Sequence, residues 1–389
     1  KVRLNYGRDI SDLWEREYEN AVIGDAQPDG RLSETRARRN VENFNQILTY
    51  NKSFGDHNLD ITAGHESFDR SISDMDGLKT IQAANGIYEF ANFSNIVDLD
   101  GATFDKGIEG YFLRTNYNFK DTYYLSGSVR RDGSSVFQEG SRWGTFYSVG
   151  ASWRIDQESF MDNVSFIDKL KVRASYGEVG NDDLGDSYLA QPRFTITSNA
   201  ANPAILFTDI GNRDLVWETI ESFDVALEFG LFNNFLEGSV EYYRRNSSDL
   251  LYNLPIALSN GLNQVPVNLG DMYNSGLEMA LTANLVNTAE FDWNLTLQAS
   301  TFKNEITNGS KRWAEGRSRF DFFLLRTAGV DPETGDQLFY VYEDDDNGES
   351  VPVLDENGNI ETTNDWQETQ QAYTGDSSIP DLLGSVANS

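Results

Sequence analysis

The sequence predicts an all-β chain: a run of antiparallel strands forming part of the wall of a transmembrane β-barrel. Three observations carry that reading. Apolar and polar residues alternate with period two along many segments. The links between those segments alternate between short and long. The composition, with 18 Tyr, 24 Phe, 32 Gly and only 8 Pro in 389 residues, leans towards strands. Mean hydropathy is −0.51, and no stretch approaches the ~18 apolar residues of a membrane helix. Barrel strands escape that test, because their alternation averages to a modest hydropathy.

The strands follow in chain order. "KVRLNY" opens the chain in strand-like alternation. In "YYLSGSVR", Tyr123, Leu125 and Val129 oppose Tyr124, Ser126, Ser128 and Arg130. In "KLKVRASYG", Leu170, Val172, Ala174 and Tyr176 oppose Lys171, Arg173 and Ser175. "FDVALEFGL" sets Phe223, Val225, Leu227, Phe229 and Leu231 against Asp224 and Glu228. "LEMALTANL" sets Leu277, Met279, Leu281, Ala283 and Leu285 against Glu278, Thr282 and Asn284, and "WNLTLQAS" sets Trp293, Leu295, Leu297 and Ala299 against Asn294, Thr296, Gln298 and Ser300. Helical period is confined to a short turn near "QESFMDNV".

Short links fall at 55–58, Lys120-Asp121, Asn233-Asn234 and 287–290, with a medium one at 156–167. Long links are expected at 71–107, 132–141, 179–213, 249–270 and 306–380. In an up-and-down wall, alternate connections lie at opposite ends, so every short link shares one rim. Short periplasmic turns and long extracellular loops are the pattern of outer-membrane barrels. Phe119, Tyr123, Phe232, Phe235, Phe291 and Trp293 flank the short turns, as an interfacial aromatic girdle requires. About 11–12 strands are expected, several longer than the ~9–11 residues a bilayer needs. An open sheet of that width leaves edges unpaired in lipid, and "KVRLNY" and "PDLLGSVANS" begin and end in strand. We therefore expect a piece of a larger barrel.

Composition narrows the function. There are no cysteines and two histidines, His57 and His65, so thiolate and His-rich metal sites are excluded. The formal charge of −31 offers no basic stripe for nucleic acid. No nucleophile elbow, HExxH or P-loop is present, so no catalytic residue, metal ligand or cofactor is assigned and the chain is not read as an enzyme.

A set of ordered motifs sharpens the reading. "RRDGSSVF", "SRWGTFYSVGASWRI", "ESFM" and "LKVRASYGEVGN" are followed by "NRDLVWETIESFDVALEFGLFNN", "EGSVEYYRRNSSDLLYNLPI", "VNLGDMYNSGLEMAL" and "GVDPETGDQLFY". Together these resemble the barrel of SusC-like (SusC/RagA family) TonB-dependent outer-membrane transporters of Bacteroidetes, closely over 110–340 and loosely elsewhere. The resemblance implies that 1–389 is a partial barrel domain of about 22 strands with a plugged lumen; the plug and closing strands lie outside this sequence. It also implies residence in the outer membrane of a Gram-negative bacterium and import of an oligosaccharide or a peptide. The partners it implies are a SusD-like surface lipoprotein and, through a missing N-terminal region, the TonB–ExbB–ExbD complex.

Candidate substrate contacts are Arg131 and Asp132 at the pore mouth, Glu278 in the lumen, and the loop aromatics Trp313, Trp366 and Tyr373. Each has a plainer role. Asp132 and Gly133 shape the exit from a strand, Gly270 and Gly276 permit close backbone approach, and loop aromatics pack on neighbouring loops. The segment 331–371 holds thirteen Asp or Glu and no Lys or Arg. It reads as a solvated acidic loop, with calcium as a lesser alternative. Two rival functions are a passive pore or adhesin barrel, and a soluble glycan-binding β protein such as a propeller. The propeller predicts a blade repeat of ~40–50 residues, which the sequence does not show.

Overall fold

The computed structural model describes residues 1–199, 202–288, 290–310, 312–345 and 348–389. One 13-stranded antiparallel sheet dominates. Its wall strands are β1 (Val2–Glu19), β2 (Arg31–Phe54), β3 (His57–Gln82), β4 (Phe93–Phe119), β5 (Tyr123–Ser134) and β6 (Trp143–Arg154). They continue as β7 (Ile167–Asn181), β8 (Glu218–Leu231), β9 (Leu236–Ser248), β10 (Asp271–Asn287), β11 (Asp292–Thr301) and β12 (Leu382–Asn388). Each pairs with the next in chain order, and Lys303–Asn308 carries the β11 line upward beside β10. This meander of about twelve wall strands is the predicted architecture. It is one continuous sheet, not a ring of blades, which removes the propeller reading.

The short turns form because their backbones are shaped for reversal. Lys120 and Asp121 both have positive φ, 54° and 51°, and the Asn118 side chain accepts the Asp121 N–H at 2.9 Å. Positive φ at both central residues matches the twist of the flanking strands. Phe232, Asn233 and Asn234 repeat the arrangement between β8 and β9. The medium link between β6 and β7 contains two 3₁₀ turns, Ile155–Gln157 and Ser159–Met161.

One expected boundary fails. The long link placed at 71–107 is mostly strand: β3 runs to Gln82 and β4 begins at Phe93. These strands have 26 and 27 residues, or roughly 90 Å of chain at ~3.4 Å per residue. Only the lower part lies in lipid. Above it both faces meet polar surroundings, so the backbone ladder continues while the apolar alternation that marks a strand disappears.

The other long links are folded. Link 182–217 carries a hairpin of Arg193–Asn199 with Asn202–Asp209, and 249–270 one of Leu251–Pro255 with Gln264–Asn268. Link 309–381 contains several short strand pairs, Asp321–Leu324 with Ala372–Ser377 among them. The buried core sits among these loops. Val136, Phe137, Leu189, Leu215 and Leu251 pack together, with Leu184 and Trp217 against them. The Trp217 ring lies 5.3 Å from Phe137 and 5.5 Å from Phe146.

Two glycines of the "VNLGDMYNSGLE" motif have backbone reasons. Gly270 has φ +98°, where a side chain is strained. A Cβ at Gly276 would stand 2.1 Å from the Thr301 carbonyl and 2.8 Å from the Tyr243 hydroxyl. Gly276→Ala is expected to destabilise the barrel by about 1–3 kcal/mol, read as a lower urea midpoint in vesicles. An unchanged midpoint would show that β10 and the end of β11 separate without cost.

Candidate functional site: the inner face of the wall and its loops

The register assigns every wall residue to one of two faces. On β6, Trp153, Ala151, Val149, Tyr147 and Trp143 share a face. They pair with Tyr123, Leu125, Gly127, Val129 and Gly133 on β5. The same face continues through Val172, Leu227, Val240 and Met279. It is apolar and exposed, and it faces lipid.

Aromatic rings bound this band at both edges. At the turn edge, Phe54 and Phe119 flank His57 at 5.1 and 4.7 Å, and Tyr123 stacks on Phe119 at 6.2 Å and on Trp153 at 6.4 Å. At the loop edge, Tyr111 and Trp143 lie 6.2 Å apart. From Trp153 to Trp143 is ten positions, about 34 Å along a strand and roughly 25 Å of height at the usual tilt. That is the thickness of the apolar belt of an outer-membrane barrel.

The opposite face is polar. Glu228 meets Lys169 at 2.9 Å and Arg173 at 3.3 Å, and Arg173 also binds Glu241. Glu278 stands directly across the β9–β10 ladder from Glu241, beside Ser300. Two carboxylates opposite each other repel, and Arg173 compensates the Glu241 side. Nearer the turns, Asn51, Asn58, Asn116, Asn118, Tyr124 and Ser126 line a hollow of 520 Å3. Such a wall offers hydrogen bonds and paired charges to a hydrated solute.

The sequence candidates divide. Arg131 and Asp132 are neighbours on β5 and so point to opposite faces. Arg131 lies on the outward face with its guanidinium 5.6 Å from the Trp143 ring. Asp132 is buried on the inner face, held at 2.7 Å by Arg130, which also reaches Glu66. Trp313 packs on Tyr252 at 4.9 Å with Arg319 above it. The Tyr373 hydroxyl donates to the Arg312 carbonyl at 2.8 Å and accepts the Ala314 N–H at 3.1 Å, while its ring meets Phe323 at 4.9 Å. Trp313 and Tyr373 therefore tie loops together. Trp366, on a 3₁₀ turn, is 59% exposed.

The acidic segment uses several carboxylates on its own turns. Asp331 accepts Glu333 N at 2.8 Å, Asp345 accepts Glu349 N at 2.8 Å, and Asp355 accepts Asn357 N and Asn359 N at 2.8 Å each. Gly335, Gly348 and Gly358 complete these turns at positive φ. The Asn359 and Asn357 amides hold the Asp355 carboxyl below its ordinary pKa. Among the described residues no three carboxylate or imidazole groups gather as a metal site.

Sequence reasoning missed the residues that position the loops. Lys106 Nζ reaches Asp182 at 3.0 Å, and Asp182 also accepts the Ser134 hydroxyl, all three groups largely buried. In "NRDLVWE", Asn212 donates to the Pro266 carbonyl at 3.0 Å and Val216 N donates to Asn268 at 2.9 Å. Asn268 in turn donates to Val216 and Asp249 carbonyls at 3.0 and 2.7 Å. These partners lie tens of residues apart, so no local signal announces them.

The family described as "TonB dependent receptor-like, beta-barrel" matches residues 1–385. TonB-dependent receptor P39 of Formosa agariphila is 33% identical over 277 residues, covering 68% of this chain and 26% of that protein. TonB-dependent receptor SusC of Bacteroides thetaiotaomicron is 27% identical over 349 residues, covering 81% of this chain and 33% of that protein. The chain thus spans about a quarter to a third of the length of these relatives. A solved structure of the RagAB peptide transporter superposes over 100% of the chain and 44% of its own, with TM-score 0.86 at 24% identity.

Proposed function

The chain belongs to the TonB-dependent receptor-like β-barrel family of Gram-negative outer-membrane proteins, and on that premise we propose that it forms wall and loops of an active nutrient importer. A solute captured under the extracellular loops is enclosed by a SusD-like lipoprotein and crosses along the polar inner face. Energy comes from TonB acting on a plug domain. The observation that carries the reading is the split character of the wall: an apolar belt bounded by aromatics on one face, charged and amide groups on the other.

Oligosaccharide and peptide both fit that inner face; the sequence motifs imply these two classes, and the RagAB peptide transporter shares the fold. The deciding experiment is uptake of labelled oligosaccharides and labelled peptides by cells expressing the full-length protein, with and without a protonophore. The import reading requires saturable uptake that the protonophore abolishes. Uptake that persists without the proton gradient would make the barrel a passive pore, and none at all would favour an adhesin.

Of the three candidate loop aromatics Trp313, Trp366 and Tyr373, Trp366 is the one with an open face. If oligosaccharide is the solute, Trp366→Ala should weaken its binding about three- to tenfold, the worth of one ring stack of ~1 kcal/mol. Trp313→Ala should act instead through loop order, raising protease sensitivity. Titration calorimetry that finds Trp366→Ala equal to the unmodified protein would remove Trp366 from the site.

A further inference from the structure

From β5 to β11 the outward positions can be read strand by strand, and among the described residues their cations are Arg131, Arg244 and Lys303. None lies in the middle of the apolar belt; Arg131, opposite Thr145, is one outward position below Trp143. Arg131 is eight positions above Tyr123 and Arg244 eight above Leu236, or roughly 27 Å along the strand. Lys303 is ten above Trp293, roughly 34 Å. With strand tilt, all three fall at the loop-side edge of the belt.

Each cation lies over an aromatic ring. Arg131 covers Trp143 at 5.6 Å; Arg244 and Lys303 approach Tyr273 at 4.2 and 5.5 Å. Their charges are balanced differently. Lys303 is paired with Glu305 at 2.8 Å, and Glu305 also accepts the Tyr273 hydroxyl at 2.8 Å. Arg244 donates its Nε to Asn246 at 2.9 Å, and Asn246 in turn reaches Glu221, which stands opposite Glu178. Among the described residues neither Arg131 nor Arg244 makes an ion pair; Glu305 lies near enough to Arg244 to feel its charge, but it is held by Lys303 and the Tyr273 hydroxyl, so guanidinium N–H groups remain as donors. An aromatic platform fixes the plane of such a fork, and the fork matches the oxygens of a phosphate.

We propose that Arg244 on Tyr273, and Arg131 on Trp143, are headgroup sites for a phosphorylated lipid of the leaflet beneath the extracellular loops. The outward direction places a lipid there rather than a solute in transit. The level places the headgroup there rather than the acyl chains. The two sites lie on either side of the Glu178–Glu221 pair, which repels phosphate and so separates them into discrete positions.

The test is native mass spectrometry of the full-length protein in nanodiscs containing equal amounts of a phosphorylated glycolipid and its dephosphorylated form. The phosphorylated lipid should be retained about tenfold more, the discrimination expected of a charge-assisted contact. Arg244→Gln should remove most of that preference and Arg131→Gln part of it. Lys52→Gln, an outward cation at the turn-side edge, should leave it unchanged. Equal retention of both lipids, or a preference untouched in both arginine variants, would overturn the proposal. Displacement by inorganic phosphate at equal molarity would also overturn it, since the site would then be one for a free anion. Nutrient uptake is read in a separate assay, so failure here leaves the import reading as it was.

Discussion

Asp182→Ala should unfold the loop cap while leaving the membrane wall standing. The Asp182 carboxylate joins three elements. One oxygen takes the Lys106 ammonium of β4 at 3.0 Å and the other takes the Ser134 hydroxyl at the end of β5, while Asp182 itself begins the link after β7. The Lys106 and Asp182 side chains keep only 10% and 11% of their exposure. Removing one partner of so buried a pair leaves the other charge uncompensated, at about 3–5 kcal/mol. The loss falls where Val136, Phe137, Leu189 and Leu215 pack together, so the loops should open before the strands do. Hydrogen exchange would show it, with faster exchange across 135–142 and 182–217 and slow exchange retained in β5–β9. Replacing both partners by apolar residues, Lys106→Met with Asp182→Leu, should recover much of the loss, because no orphan charge remains. Equal exchange in Asp182→Ala and the unmodified protein would mean the cap stands on its apolar contacts alone.

How much of this was legible follows from where each residue finds its partners. The strands in lipid were readable because their two faces meet opposite environments, so Phe223, Val225, Leu227 and Phe229 oppose Asp224 and Glu228. The upper parts of β3 and β4 were not, because there no face meets lipid and the pattern carries no label. The turns at Lys120-Asp121 and Asn233-Asn234 were readable from residue type, although Lys120 and Phe232 adopt a conformation usually left to Gly or Asn. The loop motifs signalled a family but not their task. "NRDLVWE" carries part of the family resemblance, but only the structure shows Asn212 and Val216 clamping residues near 266–268. Trp313 and Trp366 are equivalent in sequence. Only packing separates the one held by Tyr252 from the one that stays open.

The assignment of faces predicts an asymmetry between two substitutions on neighbouring strands. Leu227 on β8 is outward, flanked across the ladder by Val172 and Val240, and lies four positions above the turn-side end of its strand. Leu227→Arg therefore places a guanidinium in the belt, at a depth where such a charge costs about 2–4 kcal/mol. Ser239 on β9 is inward and directly opposite Glu228. Ser239→Arg adds the same side chain beside a carboxylate already surrounded by Lys169, Lys171 and Arg173. It competes with those cations in a hydrated lumen, where the change should stay within about 1 kcal/mol. Equilibrium unfolding of the full-length protein in lipid vesicles measures both. The outward substitution should lower the denaturant midpoint clearly, with the inward one close to the unmodified protein. The reverse order would put lipid on the charged face, and the proposed transport route along Glu228, Glu241 and Glu278 would have to be abandoned with it.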